Sequence, residues 1–165
     1  NLVENEEDRN KLFKSTKEVN IDTDLELMLP DDYVSSTEER LSLYQKLADI
    51  QSAKELEQFE NELIDRFGTL PDEAINLLKS VELKWLAAEI GFDKLVVKNK
   101  VFLGYFPANP QDKFYQSEKF KKIIAYLTQN PTEATLKEKN NQLMMLKDNV
   151  KNVDEVNLVL NRILA

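Results

Sequence analysis

The spacing of apolar residues switches repeatedly between two and about 3.6 along this chain, and these switches limit its fold more than any other feature. Between Asn20 and Pro30, apolar residues or threonine alternate with three carboxylates and Met28, which predicts a half-buried strand. From Ser36 to Gly91 the apolar residues recur every three or four positions, which predicts three consecutive helices. Beyond Gly91, two pairs of short apolar runs alternate with helical segments, so the pattern as a whole indicates an α+β fold.

Each of the three consecutive helices carries a start signal. Ser36 with Glu39 and Ser52 with Glu55 have the spacing of capping boxes, and Pro71 suits the first turn of the third helix. The residues that we expect on the buried faces, helix by helix, are Leu41, Tyr44, Leu47 and Ala48; Leu56, Phe59, Leu63 and Phe67; and Ile75, Leu78, Val81, Leu86 and Ile90.

Two hairpins are predicted in the second half of the chain. Residues 95–97 and 101–103 flank Asn99, and residues 134–138 and 143–147 flank an Asn-Asn pair; asparagine tolerates the positive φ that tight hairpins need. One helix separates the hairpins and another follows Asn152. We therefore expect an antiparallel sheet of about five strands packed against several helices, in a single compact domain with an N-terminal linker. The pattern leaves open whether all strands join one sheet.

Composition excludes several kinds of active site. The 165 residues include no cysteine and no histidine, which rules out disulfides, zinc–thiolate sites, thiol nucleophiles and imidazole bases. The three glycines, Gly68, Gly91 and Gly104, are too few and too far apart for a Walker A loop or a dinucleotide fingerprint. A net charge of −8 disfavours binding to nucleic-acid phosphates. We expect no bound cofactor and no metal.

The chain carries no targeting signal that its sequence reveals. No segment resembles a secretory signal, and no apolar run approaches the roughly 18 residues of a membrane span, so no membrane partner is expected. The first residue is not methionine. We expect a fragment of a longer cytoplasmic protein.

Three carboxylates on the first predicted strand are candidate metal ligands. If the strand is regular, Asp22, Asp24 and Glu26 project from one face at intervals of roughly 7 Å, a spacing that could hold Mg²⁺ or Mn²⁺ in a metal-dependent nuclease. The competing interpretation is the solvated face of a half-buried strand. No histidine, and no further set of converging carboxylates, supports the nuclease.

A second candidate site lies on the second predicted helix. Offsets of three and four residues place Glu62, Asp65 and Arg66 on one stripe, beside the apolar face. This stripe is either an intrahelical Glu62–Arg66 ion pair on a solvated surface or a charged patch that sets the register of a partner protein.

The only local basic run is Lys119, Lys121 and Lys122. It is either the solvated face of a helix or part of an accessory nucleic-acid-binding module. A salt-dependent shift of DNA would favour the second interpretation.

The sequence also predicts where two aromatic residues and a pair of methionines lie relative to the core. Trp85 and Tyr105 are expected to pack in the core, although aromatic side chains are also enriched at interfaces. Met144 and Met145 lie on a predicted strand, so one should point inward and the other outward.

Three sequence runs together are distinctive: LPDDYV at 29–34, RLSLY at 40–44 and ELIDRFGTLP at 62–71. With VELK at 81–84 and KL at 94–95, they resemble the C-terminal domain of the bacterial transcription-repair coupling factor family, known as Mfd. The ELIDRFGTLP run is the most specific part, and the resemblance covers residues 21–95.

The resemblance implies a role within a larger protein. Members of this family are ATP-driven translocases on double-stranded DNA that dislodge stalled RNA polymerase and recruit the excision-repair protein UvrA, and polymerase and DNA bind through other domains. The C-terminal domain packs against a UvrB-like N-terminal module and masks the surface that UvrA would bind. By this resemblance, residues 1–19 are a linker or the tail of a preceding motor domain, and 20–165 are a non-catalytic regulatory domain. Glu62, Asp65 and Arg66 match the family's contact helix.

Overall fold

This computed structural model describes residues 19–165, which contain five strands and five α-helices. The predicted linker, residues 1–19, lies outside the described residues except for Val19, which is buried. A short 3₁₀ helix that the sequence did not predict spans Lys113–Gln116. The other elements are β1 Asn20–Thr23, α1 Thr37–Ala48, α2 Ala53–Phe67, α3 Asp72–Ile90, β2 Lys94–Lys98, β3 Val101–Tyr105, α4 Glu118–Gln129, β4 Thr135–Lys139, β5 Gln142–Lys147 and α5 Val153–Leu164.

All five strands form one sheet in the order β1-β2-β3-β5-β4, which answers the question that the sequence left open. Three of the pairings are antiparallel, and β1 pairs parallel with β2. Both hairpin turns use two consecutive residues with positive φ, Asn99–Lys100 and Asn140–Asn141, as type I′ turns require. The α+β class and the five-stranded sheet are confirmed.

The first strand is shorter than the alternating pattern predicts. It ends at Thr23, whose hydroxyl donates to the Val97 carbonyl (2.7 Å) and accepts from the Leu25 amide (3.0 Å). Beyond Thr23 the Asp24 amide still donates to the Val97 carbonyl at 3.2 Å, and no later backbone hydrogen bond joins this segment to β2 among the described residues. Leu25 and Leu27 still pack against the core of the sheet, so the predicted burial holds although the strand does not continue.

The buried apolar residues form two clusters, and α3 contributes to both. The sheet core lies between the sheet and the C-terminal half of α3, α4 and α5. The helical core lies between α1, α2 and the N-terminal half of α3. The buried members of the helical core are Leu29, Val34, Leu43, Leu47, Phe59, Leu63, Leu70, Ala74 and Leu78.

The burial of some side chains differs from the sequence-based prediction. Leu41, expected on the buried face of α1, is 58% exposed, and Leu43 is buried instead. Trp85 and Tyr105 are half-buried, and neither belongs to a core cluster of the described residues. No helix between residues 19 and 165 combines the length and apolar character that crossing a bilayer requires.

A polar cluster links α4, the turn after it and α5. The Tyr126 hydroxyl donates to one carboxylate oxygen of Glu133, and Arg162 donates to the other at 3.1 Å. The hydrogen bond to Glu133, assisted by partial burial and by the negative charge of Glu133, raises the pKa of Tyr126 above its ordinary value, although Arg162 opposes this. A raised pKa means that the folded protein favours the protonated phenol more strongly than the unfolded chain does.

We expect Tyr126→Phe to lower the free energy of unfolding by about 0.5–1.5 kcal/mol at pH 7. The difference should persist up to a pH of about 10, the pKa in the unfolded chain, and shrink as pH rises through the higher pKa of the folded protein. Urea unfolding of the wild-type protein and of Tyr126→Phe, from pH 7 to pH 11, measures this difference in the free energy of unfolding. Tyr105→Phe is the control, because its hydroxyl has no hydrogen bond within residues 19–165. A difference that stays constant through pH 11 would contradict this account.

Candidate functional site

The helical pair α1–α2 carries the predicted charged stripe. Ser36 Oγ accepts from the Glu39 amide and Ser52 Oγ from the Glu55 amide, both at 3.2 Å, so the predicted caps start these helices. Gly68 ends α2 with φ +90, a conformation that favours glycine. Local sequence therefore fixes the start of both helices and the end of α2.

The buried face of α2 sets which of its side chains reach α1 and which reach solvent. Phe59 and Leu63 are buried in the helical core. The Tyr33 hydroxyl contacts the carbonyls of Leu63 (3.1 Å) and Gly68 (2.8 Å), and its ring packs on Phe67. These contacts hold the C-terminal turn of α2, and the charged stripe with it, in one orientation.

Four charged side chains connect α1 to α2. Glu62 forms the predicted intrahelical pair with Arg66 (3.5 Å) and also accepts from Lys46 of α1 (2.6 Å). Arg66 in turn pairs with Glu39 of α1 and lies 4.8 Å from the centre of the Phe67 ring. Signs alternate along Glu39–Arg66–Glu62–Lys46, so this network is neutral and its charges are satisfied within the domain.

Asp65 differs from the other two residues of the stripe. It is exposed, and within residues 19–165 it makes no ion pair or side-chain hydrogen bond. Its helical position points it away from the helical core, because it lies about 200° around the axis from Leu63. The structure thus separates the stripe into a bridging pair, Glu62 and Arg66, and a free carboxylate, Asp65.

Open grooves of about 260 and 310 Å³ lie along this pair of helices, and the network borders both. Lys46 and Glu62 line the first groove, and Glu39 and Arg66 line the second. Most of their lining residues are charged or polar, and both grooves are open, unlike the enclosed apolar cavities that bind small molecules. The shape suits contact with another macromolecular surface.

Charge is distributed unequally between the helical region, residues 28–78, and the region that follows it. Residues 28–78, which contain α1 and α2, carry twelve acidic and four basic side chains, a net charge of −8. Residues 79–165 carry ten acidic and fourteen basic side chains, a net charge of +4. The helical half therefore presents an acidic surface that would attract a basic partner.

The candidate metal ligands do not come together. Because β1 ends at Thr23, only Asp22 lies on a strand, and it pairs with Lys98 at 3.0 Å. Asp24 accepts from the Asn99 amide at 3.0 Å and so stabilises the first hairpin turn. No group of three potential ligands occurs between residues 19 and 165. All three carboxylates are exposed, as the solvated-face interpretation expects, and the described residues do not bring them together as metal ligands.

The basic run on α4 is used within the domain. Lys119 donates to the carbonyl of Glu89 in the last turn of α3, and Lys122 donates to the carbonyl of Leu164 at the end of α5 (3.1 Å). Both ammonium groups thus satisfy helix C-termini, where positive charge is favourable. Lys121 pairs with Glu118 at 3.2 Å. This arrangement explains the run without a nucleic-acid ligand.

Several known proteins are similar to this chain in sequence. The family model described as the TRCF domain matches residues 23–117. The transcription-repair-coupling factor of Rickettsia prowazekii is 32% identical over 143 residues, which are 86% of this chain and 12% of that protein. The Escherichia coli protein of the same name is 37% identical over 81 residues, 49% of this chain and 7% of that protein. The chain thus spans about an eighth of the length of the first of these relatives.

A solved structure described as the C-terminal domain of transcription-repair coupling factor has the same fold. It superimposes with a TM-score of 0.73, covering 92% of this chain and 95% of the other, at 20% sequence identity. The region that the TRCF family model matches includes the helical pair, its charged stripe and the first hairpin. This chain belongs to the TRCF domain family of the transcription-repair coupling factors.

Proposed function

We propose that this chain is a non-catalytic, autoinhibitory interaction domain of a transcription-repair coupling factor. It latches onto the UvrB-like N-terminal module of its own polypeptide and masks the surface that UvrA would bind. The larger protein is proposed to be an ATP-dependent DNA translocase that couples stalled RNA polymerase to nucleotide excision repair. Polymerase and DNA are bound by its other domains.

The observation that carries this proposal is the charged surface of α2. Asp65 is exposed and free to pair with a basic group outside residues 19–165, beside a network that holds Glu62 and Arg66 in fixed positions. Fixed charges of both signs next to a free carboxylate can set the register of a docked partner. The net charge of −8 over residues 28–78 adds long-range attraction to a basic partner.

A latch of this kind must also release. Exposed ion pairs each contribute little, typically up to about 1 kcal/mol, and salt screens them. An interface built on them is therefore strong enough to bias a tethered equilibrium without making the closed state permanent. Binding of DNA and polymerase then has only to favour the open form by more than the latch contacts favour the closed one.

The test is calorimetric binding of this domain to the separately expressed UvrB-like module of the same parent protein. We expect Asp65→Arg to weaken binding by about tenfold or more, because it replaces an attraction with a repulsion. Glu62→Arg should weaken binding too, but it also breaks the contact with Lys46, so its thermal stability must be measured alongside.

Glu57→Arg is the matched control. It reverses an exposed carboxylate on the same helix, about 12 Å along the axis from Asp65, and changes the net charge equally. If Asp65→Arg and Glu57→Arg weaken binding alike, only the overall charge of the domain matters. If neither variant changes the affinity, α2 is not the contact surface and the proposal fails at these residues.

A further inference from the structure

The sheet core packs on one face of the sheet, and the half-buried apolar side chains of the opposite face belong to neither core cluster of the described residues. Successive side chains of a strand point to opposite faces. Leu95, Val97, Phe102 and Met145 point into the sheet core. The strand residues between them carry a second, outward set of apolar side chains: Val96, Val101, Leu103, Tyr105, Met144 and Leu146.

Strand register joins these outward side chains into one patch, the outer sheet patch. Val96, Leu103 and Leu146 are direct neighbours across three strands, and Tyr105 lies opposite Met144. None of the six belongs to either core cluster of the described residues. The two methionines point to opposite faces as predicted, with Met145 in the sheet core, but Met144 is also buried, at 5% exposed.

Lysines surround the outer sheet patch on the same face. Lys94 lies beside Tyr105 on β2, and Lys137 lies beside Met144 on β4. Lys139, two residues further along β4, points the same way. All three are exposed, and within residues 19–165 none of them has a carboxylate partner; Lys98, at the far end of β2, is paired with Asp22.

This combination of apolar centre and unpaired lysine rim restricts the ligand. Sheets that bind single-stranded nucleic acid stack two or three bases on aromatic side chains, and Tyr105 is the one aromatic residue among the described outward positions of the strands. Aliphatic side chains such as Leu103 and Leu146 instead bury the apolar side chains of a protein ligand. The lysines require that ligand to carry carboxylates.

We propose that the outer sheet patch binds an acidic, amphipathic segment of a partner protein. Its apolar side chains pack on the half-buried Val96, Leu103 and Leu146, and its carboxylates pair with Lys94 and Lys137. This surface shares no residue with the charged stripe of α2, and its partner has the opposite charge from the one proposed there. The two sites can therefore be occupied at the same time.

The probe is a short fluorescent peptide of alternating leucine and glutamate, titrated with the full chain and followed by anisotropy. Two comparison peptides replace either every leucine with serine or every glutamate with lysine. We expect measurable binding of the first peptide only, weakening as salt rises. Equal binding of the serine peptide, or no binding at millimolar concentration, would overturn the proposal.

The paired reversal Lys94→Glu with Lys137→Glu should weaken peptide binding by roughly tenfold or more. Both lysines are exposed, so the fold should survive, as circular dichroism can show. Lys84→Glu, an exposed lysine on the helical side, is the control and should have little effect. A loss with Lys84→Glu that matches the paired variant would overturn the proposal.

Other occupants give different results. Tighter binding of oligothymidine, lost in the paired variant, would assign the patch to nucleic acid. Concentration-dependent dimerisation in sedimentation, lost in the same variant, would assign it to a second copy of the chain. Asp65→Arg should leave peptide binding unchanged, so failure of this proposal and failure of the latch are separate outcomes.

Discussion

Replacing Gly104 with alanine is expected to lower the free energy of unfolding by about 1–3 kcal/mol, because the added methyl group overfills a closed aromatic core. Gly104 lies in β3 between Leu95 and Met145 of the neighbouring strands, and all three face inward. A Cβ at this position would lie 2.5 Å from two ring carbons of Phe92. Carbon atoms in contact are normally about 3.5–4.0 Å apart.

The Phe92 ring is buried against two other aromatic rings. It is 3% exposed, and its centre lies 4.8 Å from that of Phe106 and 6.0 Å from that of Phe102. Any displacement that relieves the methyl group must therefore displace a second ring. Alanine's better strand propensity recovers about 0.5–1 kcal/mol, so the measured loss is a net value.

A double-mutant cycle tests whether the added methyl group clashes with the Phe92 ring. Urea unfolding is measured for Gly104→Ala, for Phe92→Leu and for the two changes together. If the ring is what the methyl group meets, the smaller leucine makes room, and the double variant should be more stable than the sum of the single effects predicts. Strict additivity would show that the destabilisation arises elsewhere.

Features that depend on local sequence were predictable. The caps at Ser36, Ser52 and Asn152 and the Asn-centred hairpin turns are settled by a few neighbouring residues, and all of them are confirmed. The length of β1 was not predictable. Its end depends on a hydrogen bond between Thr23 and Val97, residues that are 74 positions apart.

The difference between local and long-range interactions also explains which contacts of the candidate site the sequence did not predict. The Glu62–Arg66 pair follows from helical spacing alone, so the sequence predicts it. The contacts of these residues with Glu39 and Lys46 depend on how α1 and α2 are aligned, which no local pattern encodes. Only after these partners are known does Asp65 become distinguishable as the free carboxylate.

Long-range contacts also determine how the other groups of charged residues should be interpreted. The basic run on α4 looks like a potential nucleic-acid site until Lys119 and Lys122 are seen to satisfy the ends of α3 and α5. The lysines of the outer sheet patch, by contrast, are scattered in sequence. Strand pairing alone brings Lys94 and Lys137 to opposite sides of one apolar patch.

Asn157→Asp should destabilise the domain by about 3–5 kcal/mol at pH 7, the largest effect that we expect from a single change. Asn157 lies in α5 facing α3 and is 1% exposed. Its Nδ2 donates to the Lys79 carbonyl at 3.0 Å, and its buried Oδ1 has no hydrogen-bond donor among the described residues. An ionised carboxylate there would face one acceptor and no donor. The Lys79 ammonium does not compensate, because it already pairs with Asp154 at 3.4 Å.

The pH dependence separates charge burial from a simple packing defect. Burial raises the pKa of the introduced carboxyl above its unfolded value of about 3.9, so the full penalty applies only where both states are ionised. As pH falls through the folded pKa the penalty should shrink, and below the unfolded pKa it should vanish, since a protonated carboxyl can donate to Lys79 as the amide does. Asn161→Asp, an exposed position one turn along α5, loses a donation to Glu82 (3.4 Å) but should cost no more than about 1 kcal/mol at any pH, because its charge stays in solvent. Denaturant unfolding of wild type and both variants between pH 3 and pH 8 measures these differences. If the Asn157→Asp loss does not change with pH, the orphaned Oδ1 is not what makes this position intolerant of a charge.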